Sequence, residues 1–236
     1  LPFLLDRVFD WVDQISGLAR DAFLEALPKA SAAGVVRLLP LIHRCEGRRI
    51  DHQGLSDQGD VEGAVDARLR DPDGMEILRD GLQSSSGAVR SACAIELLGR
   101  GADGAHSELL EHPDESIRLR YLSWLGQSSS APDLTAQLLR LSRDPSSAVR
   151  AASLRALAAR LGEAVAWEEV TREFHAALCD KVRSVRGIAQ FHCRRHEPDL
   201  SFANVYREAI AERRTGWLGA VDGLSQLAHT EAERAS

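Results

Sequence analysis

Between Ser147 and Leu161 the chain reads SAVRAASLRALAARL, and its apolar positions keep to one helical face. With Val149 as anchor, Ala152, Ser153, Leu154 and Leu157 stand at offsets three, four, five and eight, the stripe expected of a 3.6-residue period. The same frame fits at Ala19, Val61, Val89, Ile117 and Val185. Offset eight is Leu27, Leu69, Leu97, Leu125 and Leu157 in five copies and Cys193 in the sixth. A weaker seventh copy starts at Leu218, with Val221 at offset three. The first six anchors are separated by 42, 28, 28, 32 and 36 residues. Removing the polar stretch Glu46–Gly59, 14 residues long, turns the outlying 42 into 28 and marks that stretch as an insertion in the second repeat. A period of this size predicts stacked units, none of which can bury its apolar face alone.

Taken in order, the pattern predicts helical hairpins. Leu1–Val12 pairs with Ile15–Leu27, and Pro28 closes the first unit. Ala33–Cys45 is apolar almost throughout, with a kink or break expected at Pro40, and Asp60 is placed to cap Val61–Leu69. After the turn Asp71–Gly74, Met75–Leu82 pairs with Ala88–Leu98, and His106–Glu111 pairs with Ser116–Leu125. Leu134–Leu141 with Val149–Leu161 and Trp167–Leu178 with Val182–Cys193 complete the regular copies. Phe202–Arg213 and Trp217–Ala228 make residues 199–236 a C-terminal capping repeat. The frame continues across the Ser128–Pro132 loop, so residues 1–236 are expected to form a single repeat domain.

Offset one is arginine in five of the six copies: Arg20, Arg90, Arg118, Arg150 and Arg186, with Glu62 in the other. Asp144-Pro145 followed by Val149-Arg150, Ala152 and Leu154 resembles the second helix of a HEAT repeat, and related versions stand at Pro113–Arg118 and Asp180–Arg186. The resemblance implies an all-α, right-handed α-solenoid of six or seven hairpins with the second helices lining the inner face. The family's turn aspartate is matched at Asp144 and Asp180, whereas His112 and Ser84 occupy the equivalent positions, so an Asp–Arg ladder is expected to be incomplete. The arginines lie about 100° from the anchor, at the seam between hairpins, where turn carboxylates or carbonyls of a neighbouring repeat can hold them.

Composition narrows the function classes. At 236 residues with 44% hydrophobic content the chain can bury a sizeable core, and 5% aromatic content suits closely packed Ala- and Leu-rich helices. No apolar run approaches the ~18–20 residues of a membrane span. A net charge of −6 gives no overall attraction to nucleic acid, which is therefore not the expected partner. Cys45, Cys93, Cys179 and Cys193 lack CxxC spacing, and no signal peptide stands at the start; reduced thiols and a cytoplasmic location are expected. The start at Leu1 reads as part of a longer protein.

Candidate chemistry is sparse. His175/Cys179 and His192/His196 are both i, i+4 pairs, but His175 falls at the turn end of its hairpin and His192 at the far end, roughly 15 Å away at about 1.5 Å per residue, so no metal site is expected. Among HEAT-like enzymes, the deoxyhypusine hydroxylase family uses repeated His-Glu pairs, and only His196-Glu197 occurs here. HEAT-like alkylpurine DNA glycosylases offer a second comparison: Trp124 at offset seven shares a column with Glu96 and Ala156, a pocket with one Trp wall and one acid. Arg120 and Ser128, one turn from Trp124, supply no carboxylate, and bilin lyases of similar build leave no residue signature. Without GxSxG, HExxH, P-loop or GxGxxG in a suitable context, no catalytic residue and no cofactor is assigned. Arg120 and Arg155 are candidate surface contacts. Arg48, Arg49, Asp51 and His52 gather in the insertion beside His43 and Cys45, either as a partner-binding loop or as a tolerated surface insertion. The expected function is a scaffold for protein partners, with a HEAT-like enzyme or ligand binder near Trp124 as the alternative.

Overall fold

A computed structural model describes residues 2–8, 13–48, 59–70, 72–101, 104–127, 134–162 and 165–235. Among these residues the fold is all-α, and its one β-type pairing is an isolated bridge between Leu161 and Val165. The helices are α1 (Pro2–Val8), α2 (Asp13–Ala26), α3 (Ala32–Arg48), α4 (Gly59–Leu69), α5 (Pro72–Leu82), α6 (Gly87–Gly99) and α7 (Ala105–Leu110). They continue as α8 (Glu115–Gln127), α9 (Leu134–Leu141), α10 (Ser147–Ala159), α11 (Trp167–Leu178), α12 (Arg183–His196), α13 (Phe202–Ala211) and α14 (Trp217–Ala235). The chain divides into two compact units, Leu1–Tyr121 and Leu122–Ser236. In the first, α3 packs on α1, α4, α5 and α6; in the second, α12 packs on α10, α11 and α14, and α13 packs on α14.

The repeat column forms the core. All six residues at offset eight are buried, and Cys193 at 0% exposure fills the leucine's place in its copy. Burying each such side chain contributes roughly 1.5–3 kcal/mol. Two local details refine the sequence pattern. Helix α3 runs unbroken through Pro40, and α5 begins at Pro72, whose missing N–H costs nothing in a first turn.

The seventh copy sits one residue later than the spacing suggested. Leu218 is 64% and Val221 43% exposed, whereas the anchors Val149 and Val185 are fully buried. Burial in α14 follows Gly219, Ala220 and Gly223, a frame that puts Leu227 at offset eight. The cause is backbone contact. A Cβ on Gly219 would lie 2.3 Å from the Cys179 carbonyl oxygen and 2.4 Å from that of Asp180, so only glycine lets α14 rest on this turn.

Four arginines share one arrangement. Arg90, Arg118, Arg150 and Arg186 each donate from Nη1 to the carbonyl oxygen five residues before their own anchor: Ser84 (2.6 Å), His112 (2.5 Å), Asp144 (2.8 Å) and Asp180 (2.8 Å). The acceptor is backbone, so the residue type there does not matter to the arginine. The side chains of those same four residues each accept the amide two positions on: Ser84 Oγ from Ser86 (3.2 Å), His112 Nδ1 from Asp114 (3.1 Å), Asp144 Oδ1 from Ser146 (2.7 Å) and Asp180 Oδ1 from Val182 (2.8 Å). Serine and histidine thus close the turn as aspartate does. Carboxylates of following elements complete three of the grips. Arg90 donates from Nε to Asp114 at 2.9 Å, Arg150 from Nε to Asp180 at 2.6 Å, and Arg186 to Asp222 of α14.

Candidate functional site

A concavity in the second unit lies over α11. The inner face of that helix, with Val170, Phe174, Ala177 and Leu178, is buried, and its outer stripe exposes Arg172 and Ala176. A cavity of about 840 Å³ lies on the α13 side of this stripe, bounded by Asp199, Ser201, Asn204, Glu208 and Arg214. A second, about 710 Å³, lies on the other side, bounded by the turns that carry Arg143, Pro145, Lys181 and Gly216. The two share Arg172, Ala176, Cys179 and Thr215 and so adjoin as one groove. Ala176, exposed and with a single methyl group for a side chain, lines both cavities.

Charge is unevenly spread along the groove. On the Lys181 side, buried Glu173 accepts from Arg143 Nε at 2.8 Å, and Asp180 accepts from Arg150. Those two pairs neutralise each other, which leaves Arg172 and Lys181, both exposed, as the unmatched charges of that wall. On the α13 side, Arg214 donates to Glu212 at 2.5 Å, while Asp199 and Glu208 are exposed carboxylates. Cys179 is inert as a nucleophile: burial pushes its thiol up, against the opposing pull of Arg214 and Arg186.

His175, on the rim, donates from Nε2 to both oxygens of Glu197 at 3.0 Å. Glu197 also accepts from Trp167 Nε1 at 2.7 Å, and Trp167 stacks on His196 with ring centroids 4.6 Å apart. The separation expected between the two ends of this hairpin is therefore bridged, because the chain leaving α12 turns back along α11. The bridge is the Glu197 carboxylate; among the described residues no group of three or more His, Cys, Asp or Glu is placed to hold a metal ion.

The other residues singled out in the sequence are not among those that line the groove. Glu96 accepts from His43 Nε2 at 2.8 Å and from Arg100 Nη2 at 2.9 Å. Burial acts to raise its pKa, but the hydrogen bonds from His43 and Arg100 outweigh it and hold the carboxyl below its usual value. It is an ionised acceptor with its donors in place, an arrangement unsuited to a proton donor. Trp124 is half-buried, and Arg120 and Arg155 are exposed on α8 and α10. Arg20 donates from Nε to Asp21 at 3.4 Å. Arg48 ends α3, while Arg49, Asp51 and His52 lie outside the described residues. Sequence reasoning passed over Arg172, Ala176 and Lys181. The one available signal was a small residue, Ala176, on the polar stripe of an otherwise amphipathic helix.

No helix among the described residues is long and apolar enough to cross a membrane. No curated protein matches the chain. A family model of HEAT repeats matches residues 102–190, the segment that holds the turns at His112, Asp144 and Asp180.

Proposed function

We propose that this chain is a protein-interaction scaffold that receives a segment of a partner in the groove over α11. The observation that carries this reading is the groove's construction. Its walls come from the α9–α10 turn, α11, the α11–α12 turn, α13 and the α13–α14 turn, so parts far apart in sequence present one continuous surface. Packed helices and closed turns hold that surface in place, and a docking segment has little protein ordering to overcome. Glu173 and Asp180 are already engaged by Arg143 and Arg150 in pairs that fix the turns, while Arg172 and Lys181 are left to meet a partner.

The test uses Ala176→Trp, which fills the groove from an exposed position and leaves the core untouched. Proteins captured from native extract by the wild-type chain are identified by mass spectrometry and remade as purified partners for calorimetric titration. A purified partner that binds the wild type and loses at least tenfold in affinity to Ala176→Trp supports the reading. A chain with residues 49–58 replaced by a Gly-Ser link serves as comparison. Loss of the partner there, with binding unchanged in Ala176→Trp, would move recognition to the insertion. Turnover of a small molecule with no protein bound would overturn the scaffold reading altogether.

A further inference from the structure

The two ends of the groove differ in sign, and this constrains what can lie in it. We propose that the Lys181 end of the groove takes the acidic side chains of an extended partner segment, with Arg172 and Lys181 as the cations that meet them. This rests on the scaffold reading above and adds the chemistry of the partner. Four cations line that cavity (Arg143, Arg150, Arg172 and Lys181), against two acids, Glu173 and Asp180. Arg143 and Arg150 are committed, because Glu173 is buried beside the first and Asp180 is gripped through both Nε and Nη2 of the second, at 2.6 and 2.9 Å. Two unit positive charges then remain on a wall of a chain whose net charge is −6.

Arg172 stands where the two cavities meet, so a segment running along α11 must pass its guanidinium. A carboxylate there can be held by two parallel N–H donors, the geometry in which arginine is strongest. Lys181 follows Asp180 in the turn and meets a second carboxylate as a point charge. A basic segment placed the same way would face two like charges. An extended occupant suits the site, which α11 lines together with residues of the 179–181 and 215–216 turns and which continues into the cavity on the α13 side.

A random decapeptide library displayed on phage and panned against the full chain tests this. Enriched peptides are then titrated by fluorescence anisotropy against wild type, the double variant Arg172→Glu/Lys181→Glu, and the control Arg183→Glu/Arg195→Glu. The control makes the same change in net charge at exposed positions of α12 outside the groove. The expected result is enrichment in Asp and Glu, with binding weakened about tenfold or more by the groove variant and little by the control. Binding should also weaken as salt rises, because both cations are exposed. Acidic peptides that bind the groove variant as well as the wild type would overturn the assignment to Arg172 and Lys181. Enrichment of basic or apolar peptides would overturn the partner chemistry, and so would no enrichment at all. In each of these cases the scaffold reading is judged separately, by the Ala176→Trp titration.

Discussion

At the scale of single residues, the turns show how three different side chains perform one task. Ser84, His112, Asp144 and Asp180 each accept an amide two residues on and offer a carbonyl to an arginine. What varies is where the next carboxylate comes from. Asp114 supplies it for Arg90, and its environment has a measurable consequence. Hydrogen bonds from Ser116, then from Arg90, hold the Asp114 carboxyl down at about 2, against ~3.9 in an unfolded chain. A depressed folded-state pKa stabilises fully above the unfolded value and stops doing so as the pH falls through the folded one. Urea midpoints measured from pH 5 to pH 2 should therefore fall less steeply in Asp114→Asn than in the wild type. Arg150 gives a larger effect at neutral pH. Its side chain and that of Asp180 are only 10% and 11% exposed, so Arg150→Ala leaves a carboxylate and two carbonyls without their donor. A loss of about 3 kcal/mol is expected by chemical denaturation. Ion pairs such as Lys29–Glu25, at 73% and 79% exposure, should show almost none on removal of Lys29.

At the scale of helices, the frame of α14 is the sharpest test of how these elements seat. Leu157→Ala opens a void at a fully buried position of α10 and should cost about 2–5 kcal/mol. Leu218→Ala, at the position that spacing alone would make an anchor, should change stability by less than about 0.5 kcal/mol. Glycines separate in the same way. A methyl group on Gly219 meets backbone oxygens of Cys179 and Asp180, whereas one on Gly187, within α12, meets nothing within 4 Å. Gly187→Ala should raise stability by about 0.5–1 kcal/mol through helix propensity. Gly219→Ala should lower the melting temperature instead, because α14 must lift off the turn. If both alanine variants gained stability, the close seating of α14 on that turn would be wrong.

At the scale of the whole chain, the repeat was legible because burial imposes a period, and the period survives substitutions such as Cys193 for leucine. Hairpins followed from the same stripes, and the match to HEAT repeats over 102–190 agrees with the residues that suggested it. The groove was not legible. Its walls are turn residues and the solvent-facing stripe of α11, where no period operates and where Arg172 or Lys181 looks like any solvated charge. Backbone contacts were equally hidden: that Gly219 and not Leu218 sets the frame depends on two carbonyl oxygens some 40 residues earlier in the chain, and sequence spacing carries no trace of them. The turn network has one more implication, for how such a chain can be lengthened or shortened. Arg90, Arg150 and Arg186 each belong to one hairpin and the acid each holds to a following element, so each of these joints has a socket on one side and a plug on the other. A hairpin exchanged at one of these three joints keeps the fit only if it brings an arginine or an acid to the matching position. In α14 this is no longer so: Ala220 stands where the arginine would be, and a unit spliced on there would find no socket for its acid.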